Sequence, residues 1–172
     1  MDTADQSMSL AARIQGVILD VDGVLTNGQI IYSDRGEELK TFNVQDGASI
    51  KLLQKHGIEV AIISGRESTA VSRRAEELGI KYVIQGAHSK SKALDQLLDA
   101  GFCRENLCAI GDDLADLELY ARENVTLKAT VANGHPVVRT RADFVTQRSG
   151  GEGVIVELAQ LILEAQDRWE FD

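Results

Sequence analysis

Short β-branched runs alternate with longer amphipathic ones along most of the chain, and that rhythm sets the fold class. Residues 16–21 (GVILDV) have the length and composition of a buried strand. The runs 58–63 (IEVAII), 81–84, 107–110 (LCAI), 125–129 and 143–146 read as further strands. Between them the spacing predicts helices. One starts at Asp46, which can cap it, and runs to His56 before Gly57; another covers 67–78 and stops at Gly79. A third runs from about Ser89 to Ala100, a fourth over 114–123, a short one over 136–139, and the last over 154–169. Such alternation predicts an α/β fold, a doubly wound parallel sheet covered on both faces, with ligands bound beyond the carboxyl ends of the strands. Two more runs, 28–33 and 37–43, flank the turn Asp34-Arg35-Gly36 and read as a β-hairpin inserted at 28–43. The domain is expected to be a single unit over 10–172, with the polar, acidic residues 1–9 fraying as a flexible N-terminus.

Composition narrows the function more than the fold. The 172 residues are 44% hydrophobic, enough for one substantial core. Lys and Arg number 18 against 27 Asp and Glu, a net charge of −9. That balance argues against a nucleic-acid partner, because phosphate neutralisation needs a basic face. It leaves room for a small anionic substrate held by a local cationic pocket or a metal. Apolar runs such as 57–63, interrupted by Glu59, fall far short of the roughly 20 residues of a membrane span. Cys103 and Cys108 have no Cys or His partners at zinc spacing and read as reduced thiols, pointing to the cytoplasm.

The acidic residues are not spread evenly. Asp20 and Asp22 end the first strand, and Asp112, Asp113 and Asp116 follow another. In a parallel sheet both groups reach the same edge, so several carboxylates converge on one crevice. Their mutual repulsion calls for a divalent cation, and an all-oxygen site favours magnesium over zinc. Gly23 turns the chain out of the sheet, so that one of Asp20 and Asp22 can act as nucleophile while the other passes a proton. Ser64-Gly65-Arg66 follows IEVAII directly and offers a hydroxyl, a backbone N–H and a guanidinium to a phosphate. Lys90, with Lys92 as its competitor, can reach the crevice as a point charge.

Asp20-Val-Asp-Gly-Val-Leu-Thr, Ser64-Gly-Arg, Lys90 and Gly111-Asp-Asp-Leu-Ala-Asp resemble the four ordered motifs of the haloacid dehalogenase superfamily. DVDGVLTNG, FNVQDGASI, ISGRES, RRAEELGI, QGAHSK, IGDDLADLEL, NGHP, RADFVT and SGGEG together are similar to the 3-deoxy-D-manno-octulosonate 8-phosphate phosphatases, over roughly residues 14–165. The resemblance implies a magnesium-dependent phosphomonoesterase of lipopolysaccharide precursor synthesis, without a cap domain, working through an aspartyl phosphate. Asp20 would attack phosphorus, and Asp22 would protonate the leaving oxygen and then activate water. Magnesium would be held by Asp20, the Asp22 carbonyl and Asp112, with Asp113 and Asp116 in support. Ser64 and Lys90 would clamp the phosphoryl oxygens, with Gly65, Arg66, Thr26 and Glu152 near substrate. The resemblance also implies a homotetramer whose hairpin packs between subunits and helps close a neighbouring site.

The chain departs from the family at its tail, where a GGRGxxRE-like segment is common and this sequence reads Gly150-Gly-Glu152-Gly-Val-Ile-Val156-Glu157. A GGEG tail is similar to that of phosphatases acting on the nine-carbon acid 2-keto-3-deoxynononate 9-phosphate, with Arg66, Arg73 or Arg74 as the remaining cations. A receiver domain, which signals rather than hydrolyses, gathers comparable groups on a parallel sheet. It lacks an acid two residues after the phosphorylated Asp, the position Asp22 fills here.

Overall fold

The computed structural model describes residues 3–171. Helix α1 (Thr3–Ala11) precedes strand β1 (Gly16–Leu19), and the hairpin strands β2 (Ile31–Tyr32) and β3 (Glu38–Leu39) follow. Then come α2 (Val44–Lys55), β4 (Glu59–Ile63), α3 (Thr69–Leu78), β5 (Tyr82–Ile84), α4 (Lys90–Asp99) and β6 (Leu107–Gly111). The chain ends with α5 (Leu117–Tyr120), β7 (Val125–Thr130), α6 (Pro136–Arg139), β8 (Phe144–Val145) and α7 (Val154–Ala165). The main sheet has six strands in the order β5-β4-β1-β6-β7-β8, with every pairing parallel, as the alternation predicts.

Two cores cover the sheet, and the strand alternation sorts residues between them. Val17 and Leu19, with Val60 and Ile62, face α2 and α7 residues such as Ile50, Leu53, Leu158 and Ile162. Ile18, Ala61 and Ile63 point the other way, against Ala93, Leu94 and Leu97 of α4 and Phe102. The chain leaves β1 toward β4 and β5, then crosses back to place β6 on the other flank of β1. The order therefore reverses between β1 and β6, the position where parallel sheets of this kind open a crevice at their carboxyl edge.

Three expectations need correction. The N-terminus does not fray over the described part of 1–9: Thr3–Ala11 is helical, whereas residues 1 and 2 lie outside the described residues. Its buried positions are Ser7 and Ala11, at helical spacing, with Ile14 just beyond the helix; the two small side chains carry little hydropathic signal. Gln166 Nε2 donates to the Ala11 and Ile14 carbonyls, tying the end of this segment to α7. Second, Asn43 rather than Asp46 caps α2, its side chain accepting from the Gln45 and Asp46 amides. Asp46 is buried, and its Oδ1 accepts instead from the Ile155 amide in the first turn of α7 at 2.7 Å. Third, 114–123 is not one helix but a 3-10 turn at Leu114–Asp116 followed by the single turn α5. Asp116 turns its carboxylate back onto the Asp112 and Asp113 amides, which favours the tighter turn. The hairpin exists as read, though its ladder is confined to Ile31–Leu39 and Tyr32–Glu38.

Candidate active site

The crevice between the tips of β1 and β6 is lined from both sides by loops that these strands feed. Beyond β1 the backbone coils through Val21–Leu25 in one wide turn, closed where the Thr26 amide donates to the Val21 carbonyl at 3.1 Å. Gly23 sits there at φ 94°, and a Cβ on it would stand 2.0 Å from Asp112 Oδ2. Only glycine lets the two loops approach this closely. Thr26 is buried and devotes its hydroxyl to the turn, accepting from the Gly23 and Gly28 amides and donating to Val21. The tail closes on the same turn. Gly150 lies so near it that a Cβ would be 1.8 Å from the Gly23 carbonyl oxygen, and the Gly151 amide donates to Val24.

Four charged groups converge at the floor. Lys90, buried at the start of α4, places Nζ 2.9 Å from Asp20 Oδ1 and 2.5 Å from Asp116 Oδ1. Asp116 Oδ2 accepts from the Asp112 and Asp113 amides, so both oxygens of Asp116 are committed. Carboxylate oxygens of Asp20, Asp112 and Asp116 lie within 4.8 Å of one another. Burial pushes the Asp20 carboxyl up to about 6 against the opposing pull of Lys90. Burial and then the charges of Asp20 and Asp116 push Asp112 up to about 8. Desolvation acts to lower the Lys90 pKa, but the two aspartates outweigh it and the ammonium is held above its usual value. Three carboxylates against one ammonium leave this cluster two charges short. Asp112 Oδ1 is buried with no hydrogen-bond partner among the described residues. A hard divalent cation would balance the charge and occupy that oxygen, so the donor set fits one.

Ser64 is buried at the tip of β4, one strand over from Asp20, and its Oγ accepts from the Arg66 amide. Gly65 is exposed beside it. Lys92 is exposed, its amide donating to the Ser89 hydroxyl that caps α4, and of the two lysines it is Lys90 whose Nζ reaches the aspartates. Asp113 is exposed and caps the 3-10 turn by accepting from the Leu114 amide. Glu152 is exposed in the tail that packs on the β1 loop. Arg73 pairs with Glu77 on the surface of α3, and Arg74 lies over the Phe42 ring, its Nη2 donating to the Asn43 carbonyl.

At the rim, Asp22 is held by a residue that sequence reading passed over. Lys40, immediately after β3, places Nζ 2.5 Å from Asp22 Oδ1 and 2.9 Å from Glu38 Oε1. Glu38 Oε2 in turn meets Arg66 Nη2 at 2.5 Å, and Arg66 Nε returns to within 4.0 Å of Asp22 Oδ2. The base of the hairpin thus reaches the crevice of its own chain. Nothing in the run Glu37-Glu38-Leu39-Lys40 marks the lysine out, since alternating charges on an exposed hairpin are ordinary.

Residues 82–158 match the model of the haloacid dehalogenase-like hydrolases. A 3-deoxy-D-manno-octulosonate 8-phosphate phosphatase of Yersinia pestis is 43% identical over 168 residues, spanning 97% of this chain and 89% of the relative. The corresponding phosphatase of Escherichia coli strain K12 is 43% identical over 159 residues, 92% of this chain and 84% of its own. Among solved structures, the Moraxella catarrhalis phosphatase in complex with magnesium ion, phosphate ion and KDO superposes with a TM-score of 0.89 at 40% identity, covering 95% of this chain and 93% of that one. The chain belongs to the 3-deoxy-D-manno-octulosonate 8-phosphate phosphatase family of haloacid dehalogenase-like hydrolases.

Proposed function

We propose that this chain hydrolyses 3-deoxy-D-manno-octulosonate 8-phosphate to the free sugar acid and inorganic phosphate. The observation that carries the reading is the largely buried Asp20–Lys90–Asp116–Asp112 cluster at the sheet's switch point, in a chain 43% identical to phosphatases of that substrate. Asp20 is the nucleophile. Its carboxylate oxygen bonds to phosphorus as the P–O bond to the sugar breaks, and the leaving oxygen takes a proton from Asp22. Asp22, now ionised, removes a proton from the water that attacks phosphorus, releasing phosphate and restoring Asp20. Lys90 and the Ser64 hydroxyl bind the phosphoryl oxygens, and the Gly65 amide adds a donor at the same tip.

Magnesium fits the unbalanced charge; Asp20, Asp112 and the Asp22 carbonyl would hold it, while Asp116, with both oxygens engaged, orients Lys90 and the Asp112 loop. When bound, the ion supplies positive charge to the phosphoryl oxygens. Arg66 faces the sugar acid from the rim. Thr26 holds the β1 loop that lies against substrate, and Glu152 stands in the tail beside it. Asp113 supports the Asp112 loop through its cap.

The subunits are proposed to assemble as a homotetramer through the hairpin, whose tip contributes to a neighbouring site. Ile30, Ile31, Tyr32 and Leu39 are exposed apolar side chains of the hairpin, which assembly would bury. No described helix is long and apolar enough to cross a membrane. Two unpaired thiols, Cys103 and Cys108, support the cytoplasm as the compartment.

The test is a side-by-side assay on octulosonate 8-phosphate, its nine-carbon analogue and an aryl phosphate, with and without EDTA. The eight-carbon substrate is expected to give the highest kcat/KM, with activity lost on chelation and regained with magnesium. Comparable kcat/KM values on all three, or turnover indifferent to EDTA, would overturn the reading.

A further inference from the structure

Two cations, Lys40 and Arg66, stand at the rim of the crevice next to Asp22, and both are engaged by one carboxylate of the chain itself. Glu38 gives one oxygen to each: Oε1 to Lys40 at 2.9 Å and Oε2 to Arg66 at 2.5 Å. The two cations, Lys40 by its ion pair and Arg66 by its hydrogen bond, hold the Glu38 carboxyl below the usual range. The Tyr32 hydroxyl, on the partner strand of the hairpin, accepts from the same Arg66 Nη2 at 3.4 Å. The arrangement is that of a bound carboxylate, split between two donors, at the mouth of a site whose substrate carries a carboxylate at the end opposite its phosphate.

The means of exchange is also present. Glu38 belongs to a ladder of two residue pairs that hydrogen-bonds to no other strand, so its displacement disturbs none of the main sheet. Lys40 differs from Glu38 in being anchored on Asp22 as well, and its side chain is almost fully buried. Arg66 belongs to the loop after β4, which is tied to the main sheet where the Arg66 carbonyl accepts from the Gly86 amide and its amide donates to the Ser64 hydroxyl. Displacing Glu38 would therefore leave the two cations near where they stand, facing the crevice.

We infer that Glu38 is a placeholder for the substrate's carboxylate: it neutralises the Lys40–Arg66 pair in the free enzyme and yields that pair to the sugar acid on binding. The inference rests on the sugar-acid phosphatase reading and adds to it a competition internal to the chain. Lys40 is then part of the carboxylate subsite as well as the positioning residue of Asp22. Glu38 sets the affinity for acid-bearing substrates by opposing them.

The experiment is steady-state kinetics of Glu38→Gln against the unaltered protein, on octulosonate 8-phosphate and on p-nitrophenyl phosphate, with free octulosonate as inhibitor. The amide keeps the shape and removes the charge. The expected result is a severalfold fall in KM for the sugar phosphate relative to KM for the aryl phosphate, and a matching fall in the inhibition constant of free octulosonate. Lys40→Met is expected to move both quantities in the opposite direction. An unchanged or raised relative KM in Glu38→Gln, or an equal fall for both substrates, would overturn the inference. Failure of the unaltered protein to hydrolyse the sugar phosphate while it still turns over the aryl phosphate would instead remove the substrate reading beneath it.

Discussion

The Asp20–Lys90–Asp116–Asp112 cluster is largely buried and short of positive charge, whereas the Asp22–Lys40–Glu38–Arg66 ring beside it is balanced and ends in the exposed Arg66. The inner cluster draws its members from the tips of β1 and β6 and the first turn of α4, elements fixed by the main sheet and its helices. The outer ring takes two of its four members from a hairpin that the main sheet does not hold. The difference assigns work. A cluster with excess negative charge and a buried oxygen without a partner is arranged to take up a cation and a phosphoryl group. A ring whose charges already cancel has nothing to gain from a metal and can change only by exchanging one ion for another. On the proposed reading the first takes the cation and the phosphoryl group, while the second holds the proton-passing Asp22 and selects the acid end of the substrate.

The contrast is broken most severely at Lys90. Lys90→Met removes the ammonium that binds phosphate and leaves the aspartates without their partner. The expected loss in kcat is about 10^2- to 10^3-fold. Unfolding in urea with EDTA present should report a stability loss of about 3 kcal/mol, because a buried pair is broken from one side. A variant within twofold of the unaltered protein in kcat would separate Lys90 from the reaction.

The inner cluster also carries a pH signature set by carboxyls raised above their ordinary value. Without metal, Asp20 and Asp112 hold their protons to about 6 and about 8, above the ordinary 3.8 of an aspartate. Carboxyls raised in this way stabilise the fold most when protonated: the contribution is complete below the unfolded value and is lost as pH rises through the folded ones. Urea midpoints in EDTA are therefore expected to fall as pH rises from about 5 to about 8, and magnesium should flatten that slope by replacing the protons. Equal slopes with and without magnesium would contradict it. Asp46, also raised to about 6 by burial, contributes a fall of the same sign below about pH 7 that magnesium leaves in place. The smallest expected effect is the change in relative KM of Glu38→Gln, which touches only the rim.

What could be read from the chain follows the same division. The parallel sheet and the convergence of Asp20, Asp112 and Asp116 at its carboxyl edge were legible because they depend on periodicity and on which strand ends carry acids, whereas the strand order and the choice of Lys90 over Lys92 came only with the structure. Lys40 and Glu38 were not, because their roles depend on how a hairpin folds back across the chain, and a charged residue on such a hairpin is ordinary until its partner is known. Asp46 failed for a related reason. Its position suited a helix cap, yet Asn43 already filled that place, and the Asp46 carboxylate reached 109 residues along the chain to the start of α7. The helix at Thr3–Ala11 was hidden because its inward stripe includes Ser7 and Ala11, which carry little hydropathic signal.

The most direct measurement is where the phosphoryl group lands. With an aryl phosphate the leaving group departs without a proton, so Asp22→Asn is expected to accumulate phosphoenzyme that it cannot hydrolyse. Acid quench of that variant with radiolabelled phosphate ester and magnesium, followed by borohydride reduction and peptide mapping, should return homoserine at position 20. Homoserine at another aspartate, or no labelled protein under conditions where aryl phosphate is consumed, would contradict the assignment of Asp20 as the nucleophile.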